Sequence, residues 1–547
     1  MATMEKPGAT NDKVSPLSVK MDELIGELGK TGRFQILVFI LLCFNYCPLV
    51  FNHVIMAFFG ARITHTCHAV GNISFFFHNS INKTVIGQEY GECDTRLFLE
   101  DGVNLTLDCK PGQWTYDTDG RETTIGTEWD LVCDDDSLRS LATTIYFCGV
   151  MVGGLLFGYL SDRFGRRPIM LATLYAPVAI GLGIHFVPSY TWFVCLRFVE
   201  GIFLQGLQIS TYVLVAEMFV PGYRSLAGAI LECFWGGSVI AVAALAYLIR
   251  DWRYIQLAIS IPSGLALFYI CVIPESLRWM IMHGRLDDAE KYVTKVTTFN
   301  RKVFPKESWA SVRSMTEDKE ASSQQQYTFT DLFKTPQIRK RSILLFYIWF
   351  AVAVGYYGLT FKITSLAGNK YLNFFIGACV EMLAYLMDIY IMVKVKRRVA
   401  IISFALLAAV TCIIAGALPP GETDSGVDMT LVSTGFAIVG RFAVGGLFSL
   451  IFMYTSEVYP TVIRNIGMGT CAFWTRVGGV VAPQINRLGQ HTSEAAPIIV
   501  FGVMTVIVAV ATFFLPETHQ RKLPNTIQEV EDPAEITPTP VFVETRM

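Results

Sequence analysis

The sequence predicts an all-α membrane protein with twelve transmembrane helices in two six-helix pseudo-repeats. Three observations carry that prediction. The 547 residues are 52% hydrophobic and only 16% charged, too little charge to cover a soluble protein of this size. Twelve apolar runs approach or exceed the roughly 20 residues that a spanning helix needs. Several motifs recur in order at an offset of about 240 residues, as an internal repeat would require. A net charge of −2 leaves no large basic face for nucleic acid, and 13 cysteines spread through apolar segments do not form one disulfide framework.

Residues 1–33 form an N-terminus on the cytoplasmic side, with a short amphipathic stretch from Met21 to Leu28. The first apolar run, 34–59, lacks a cleavage-site pattern and is too long for a signal-peptide core, so it reads as the first spanning helix. The segment 61–139 carries N-x-[ST] sequons at Asn72, Asn82 and Asn104, and four cysteines, Cys67, Cys93, Cys109 and Cys133. It reads as an extracellular, glycosylatable loop in which two bridges have three possible connectivities. Runs at 140–160, 168–187, 190–215, 226–249 and 254–273 complete a first half spanning 34–273. Residues 274–341 are polar and free of sequons, as suits a cytoplasmic linker. Runs at 342–361, 371–393, 399–418, 430–454, 466–488 and 495–515 make the second half, 342–515. The tail, 516–547, is polar and proline-bearing, without a partner motif. Basic clusters at Arg163 to Arg167, Arg339 to Arg341 and Lys394 to Arg398 all fall on one side, placing both termini inside.

The repeat is specific. Arg197-Phe198 echoes Arg441-Phe442. Glu217 and Arg224 echo Glu457 and Arg464, and Pro274-Glu275-Ser276 echoes Pro516-Glu517-Thr518. An even number of helices per half makes the repeats parallel, an architecture that encloses a central cavity and rocks about it. Asp162, Arg163, Arg166 and Arg167, with Glu217, Arg224, Glu275, Arg278, Glu457 and Arg464, then form candidate gating networks at the helix ends. Ordinary positive-inside anchoring is the alternative for any single charge, but acids contribute little to topology and here recur at matched positions.

Gly158-x-x-Ser161-Asp162-Arg163-Phe164-Gly165-Arg166-Arg167 resembles the loop signature of the major facilitator superfamily. Glu128-Trp129-Asp130-Leu131-Val132-Cys133, Asp251-Trp252-Arg253, Pro274-Glu275-Ser276-Leu277-Arg278-Trp279 and Glu457-Val458-Tyr459-Pro460-Thr461-Val462-Ile463-Arg464-Asn465 narrow the likeness. Together with the large first loop, they resemble the amphiphilic solute facilitators: organic cation, carnitine-type zwitterion and organic anion transporters. The resemblance covers roughly 20–530. It implies plasma-membrane transport of small organic ions by uniport, exchange or ion coupling. The four loop cysteines depart from the family's usual six.

Ionisable groups inside a bilayer are functional candidates by default. Arg476 lies mid-run within Trp474-Thr475-Arg476-Val477-Gly478-Gly479 and offers a planar donor fork suited to a carboxylate. Its alternative is a structural Arg paired with an acid. By resemblance, cation transporters of the family place an Asp at this position, whereas anion and carnitine-type members place an Arg. Anion-type members carry Lys or Arg at the position of Tyr385, so the chain is carnitine-like there. Glu381, Tyr385 and Asp388 are spaced to share one helical face, and Glu232 is another acid at membrane depth. Asp388 serves the gate or the substrate equally well; for Glu232 the alternative is an intramembrane Arg partner. Tyr356, Tyr357 and Phe361 resemble the family's substrate-lining segment, and Tyr212 and Trp235 are further aromatic candidates for holding an amine. Helix packing is the competing role for each aromatic. Asn52, after Pro48, reads as an interhelical hydrogen bonder. His53 and His185 are possible proton relays, although lone membrane histidines are more often packed.

An Arg for a carboxylate with acids and aromatics for a cation favours organic zwitterions or anions as cargo. The rival readings are an anion exchanger of the urate, nicotinate or dicarboxylate kind, a polyspecific cation transporter, and a sensor that has lost transport. No H-E-x-x-H, G-x-S-x-G or phosphate-loop motif supports an enzyme. The expected partners are a small organic ion and the lipid bilayer. No cofactor or metal motif is present, a coupling ion (sodium or proton) is left open, and so is oligomeric state.

Overall fold

The computed structural model describes residues 16–68, 85–99, 104–118, 122–319, 328–419, 428–493, 495–519 and 526–531, with isolated positions between some of them. Eleven helices among these are long and apolar enough to cross a membrane. In chain order they are α1 Arg33–Phe59, α2 Asp136–Phe164, α3 Arg166–His185, α4 Tyr190–Met218, α5 Pro221–Ile249, α6 Trp252–Val272, α7 Pro336–Lys362, α8 Lys370–Lys394, α9 Arg397–Ala417, α10 Met429–Val458 and, after α11, α12 Ala496–Phe513. The remaining span, α11 Arg464–His491, is diluted by Arg476, Asn486 and Arg487 but packs along α7 and α2 like its neighbours. The result is the twelve-helix architecture that the apolar runs predict.

Helix α1 is interrupted at Asn45 and Ile55. The first break falls three residues before Pro48, which has no N–H to continue the ladder. Small residues set the closest helix crossing. A β-carbon on Gly153 of α2 would lie 2.8 Å from the Ile202 α-carbon of α4, and one on Gly149 would collide with the Phe198 carbonyl. With lipid outside, such close backbone packing supplies much of the association energy. Gly153→Leu should therefore destabilise the N-terminal half by about 1–3 kcal/mol or more. The check is a fall of several degrees in the thermal unfolding midpoint of the purified protein.

Two ends of the bundle differ. One carries a cap made from the loop after α1. There β1 (His65–Cys67) pairs antiparallel with β5 (Trp114–Tyr116), and β2 (Val85–Tyr90), β3 (Asp94–Leu99) and β4 (Asn104–Asp108) form an antiparallel meander. Disulfides Cys67–Cys109 and Cys93–Cys133 resolve the three connectivities that the sequence leaves open. Asn104 opens β4 with its side chain exposed, while Asn72 and Asn82 lie outside the described residues. The other, basic end carries helices Pro16–Gly29, Leu286–Asn300 and Lys306–Lys319. The described residues of the polar segment 274–341 are substantially helical.

Candidate functional site: a membrane-depth cavity between the halves

The basic end shows why the sequence repeats. Glu275, just past α6, accepts hydrogen bonds from the backbone N–H groups of Arg166 and Arg167 at 3.0 and 3.2 Å. Glu517, just past α12, does the same for Arg397 and Arg398 at 2.9 and 3.1 Å. Each carboxylate thereby caps the first turn of a helix, α3 or α9, where free N–H groups and the helix dipole favour negative charge. Burial pushes the Glu275 carboxyl above its ordinary value despite these donors. Glu517 is less deeply placed: burial raises it too, but its backbone donors outweigh that and hold it low.

The same end joins other candidate gate charges. Arg166 reaches Asp162 at 2.8 Å and Glu217 at 3.2 Å, and its counterpart Arg397 reaches Glu457 at 3.3 Å. Glu217 and Arg224 are not partners of each other. Arg224 instead bonds Asp22 of the N-terminal helix at 3.1 Å, and Arg278 bonds the same carboxylate. Arg464 donates to Thr461. Arg167 donates to the Ile270 carbonyl, whereas Arg163 donates to Tyr159 and lies over the Phe164 ring, outside these networks.

Toward the cap, aromatic contacts seal the halves together. Phe147 of α2 meets Tyr357 of α7 at 4.6 Å, and Phe58 of α1 meets Phe374 of α8 at 4.8 Å. Phe361 stacks on Tyr357. Lys370 pairs with Glu122 across the halves. Above this seal lies a vestibule of about 700 Å³, faced by the cations Arg62, Arg139, Arg250, Lys362, Lys370 and Arg487 but only two acids, Glu122 and Asp136.

Below the seal lie the charges the sequence singles out. Arg476 of α11 donates to Gln208 of α4 at 2.6 Å, and no acid pairs with it among the described residues. Tyr46, Tyr146 and Tyr357 stand within electrostatic reach of its guanidinium. Glu232 of α5 has no hydrogen bond or ion pair among the described residues, and Tyr46, Tyr212 and Tyr357 stand near it. Tyr212 is 41% exposed although it lies deep within the bundle, and its ring faces Phe452 across the halves at 6.4 Å. Exposure at that depth marks an internal space between the halves.

Two expectations need correction. Glu381, a candidate for a cationic substrate group, is fully buried and fully engaged. Arg441 donates to it at 2.8 and 3.2 Å, Tyr356 at 2.7 Å and Tyr385 at 2.8 Å. The indole N–H of Trp235 completes the chain by donating to the Tyr356 hydroxyl at 2.7 Å. Helical spacing puts Glu381 and Tyr385 on one face correctly, but Arg441, on another helix, decides what Glu381 does. The hydroxyls of Tyr356 and Tyr385 are likewise occupied, and both residues are only 2% exposed, so they support Glu381 rather than face the cargo. In the other half Arg197 forms the matching buried pair with Glu200 at 2.8 Å and donates to Asn52 at 2.9 Å, the interhelical role read for Asn52.

Other family-like motifs also meet. Glu128 accepts from Trp252 Nε1 at 2.7 Å and pairs with Arg253, joining two short motifs far apart in sequence. His185 lies at the same end, against the Arg253 carbonyl. Sequence reasoning missed Gln208, Tyr46, Tyr146 and Asp22, because contacts across helices leave no periodic trace; it also missed Glu200, although its place three residues after Arg197 on the same helix is a legible pairing signal.

Comparison with known proteins agrees with this arrangement. The profile of the Sugar (and other) transporter family matches residues 71–529. Solute carrier family 22 member 6-A of Xenopus laevis is 33% identical over 532 residues, covering 93% of each chain. Organic cation/carnitine transporter 2 of Rattus norvegicus is 32% identical over 531 residues, again covering 93% of each. The inward-open xylose transporter XylE from E. coli shares the fold with a TM-score of 0.58 at 19% identity, covering 71% of this chain and 88% of that one. Twelve spans, two pseudo-repeats with matched charge caps and relatives at this level over nearly the whole length identify the chain as a member of the sugar (and other) transporter family of the major facilitator superfamily, within solute carrier family 22, and as a membrane transporter rather than an enzyme.

Proposed function

We propose that this transporter carries small organic carboxylates, either zwitterions of the carnitine kind or organic anions, by alternating access. The observation that carries the reading is Arg476: a guanidinium at membrane depth, ringed by tyrosines, with an amide and no acid as its partner. Such a group is costly to keep in a bilayer unless something negative comes to meet it. A carboxylate fits its planar fork bidentately. The vestibule, richer in cations than in acids, would draw anions toward the seal. Glu232, unpartnered on the opposite wall, together with the rings of Tyr212 and Tyr357, would take the amine of a zwitterion. The rocking halves would break the Lys370–Glu122 pair and the aromatic seal at the cap, while the networks of Arg166 and Arg397 brace each half from within and move with it.

In this reading the protein sits in the plasma membrane with the cap and its sequons outside and both termini in the cytoplasm. The experiment is parallel uptake of labelled carnitine, urate and tetraethylammonium into cells expressing the protein. Uptake of carnitine or urate at several times the rate of control cells is expected, with little tetraethylammonium. Preferential tetraethylammonium uptake would favour the cation reading instead. Of the two carboxylate readings, carnitine over urate favours the zwitterion and the reverse an anion exchanger.

A further inference from the structure

Asp388 of α8 is 1% exposed, and among the described residues the only donor near its carboxylate oxygens is one hydroxyl, outside good hydrogen-bond geometry. The Ser449 hydroxyl of α10 lies beside it, and the charge within its electrostatic reach is Glu232, of the same sign. Cations on the elements packed around it are committed elsewhere: on α10 Arg441 serves Glu381, and on α5 Arg224 serves Asp22. The other titratable groups are Glu381 and Tyr385 on its own helix, whose Lys370 and Lys394 lie at the two helix ends, Cys233 on α5, and Tyr454 and Glu457 on α10, the last held by Arg397. The other buried charges at membrane depth cancel in pairs, Arg197 with Glu200 and Arg441 with Glu381. Arg476 and Glu232 are opposite in sign. Asp388 is therefore the charge left over.

A carboxylate buried with no cation and at most one hydroxyl beside it is so costly that the group stays protonated instead. Its place makes that protonation consequential. α8 packs against α5 of the other half, where a β-carbon on Gly236 would lie 3.2 Å from the Tyr385 ring. This is a surface that must shift when the halves rock. A single carboxyl without further oxygen ligands is a poor site for a hard metal cation, which wants several, and a complete one for a proton.

We propose that Asp388 is the coupling site, carrying one proton with each organic carboxylate. The cargo binds while the Asp388 carboxyl is neutral. When the halves rock, water reaches the group, the O–H bond breaks, and the proton leaves to the side that receives the cargo. The empty carrier returns with that carboxyl ionised and takes up a new proton only once it faces the side that supplies the cargo. This inference rests on the carboxylate reading of the central cavity.

The test uses the full chain reconstituted in liposomes, with the membrane potential clamped and labelled carnitine or urate as cargo. The wild type should accumulate cargo several-fold above equilibrium when the outside is more acidic, and cargo entry should make the outer medium more alkaline. Asp388→Asn should keep cargo exchange between loaded and bathing pools yet lose the acid-driven accumulation. Cargo transport by the wild type that ignores the proton gradient, or follows a sodium gradient instead, overturns the proposal while leaving the carboxylate reading intact. So does an Asp388→Asn protein that still accumulates cargo under acid drive. Should the variant not fold, the alkalinisation by the wild type decides alone. No carboxylate transport under any gradient would instead overturn the reading beneath it.

Discussion

Uptake of a labelled organic carboxylate should fall about 30-fold or more when Arg476 is replaced by Asp, with the amount of protein at the membrane unchanged. The estimate follows from the environment. Losing one partner of a buried, hydrogen-bonded charge pair costs about 2–5 kcal/mol, and each 1.4 kcal/mol is a factor of ten. Arg476 has Gln208 beside it and, among the described residues, no carboxylate paired with it to stand in for the cargo. Asp adds a further effect, because it repels the cargo's carboxylate and sets a second acid in the cavity with Glu232. Entry of a monocation should therefore rise. Arg476→Lys should fall between, since it keeps the charge but loses the planar fork. Carboxylate uptake unaffected by Asp would mean that Arg476 does not touch the cargo.

Replacing Arg441 by Met should abolish most folded protein, an effect on stability rather than on recognition. The Glu381 carboxylate would remain fully buried with two tyrosine hydroxyls and no positive charge. Breaking a buried pair from one side costs about 3–5 kcal/mol, whereas removing both charges together is far less damaging. Glu381→Gln combined with Arg441→Met should accordingly recover much of the monodisperse protein that the single Arg441→Met change loses. Size-exclusion profiles and unfolding midpoints of the single and double variants in detergent provide the measurement. A single variant as stable as the wild type would show that the pair contributes nothing to the fold.

These two residues illustrate what the sequence makes legible. Spanning helices are visible because lipid demands long apolar stretches, and the one that composition blurs, Arg464–His491, is restored by its place in the repeat. The repeat itself is legible because Glu275 and Glu517 each cap a helix that opens with paired arginines, a role that needs those residues at those positions. Arg476 stands out because an arginine within an apolar run is rare. Its surroundings do not, since Gln208 lies on another helix of the other half. Glu381 is misread for the same reason: periodicity reports which face a residue shares, and only packing brings Arg441 onto it. The small sheets of the cap escape notice because strands of three to six residues, fixed partly by disulfides, carry little pattern of their own.

The most direct measurement is equilibrium binding of a labelled organic carboxylate to the purified transporter in detergent, comparing the wild type with Arg476→Gln. Binding isolates recognition from rocking, coupling and delivery to the membrane. Saturable binding that weakens at least tenfold in the variant, with its unfolding midpoint unmoved in the absence of ligand, is the predicted result. Equal affinity in the two proteins would contradict it.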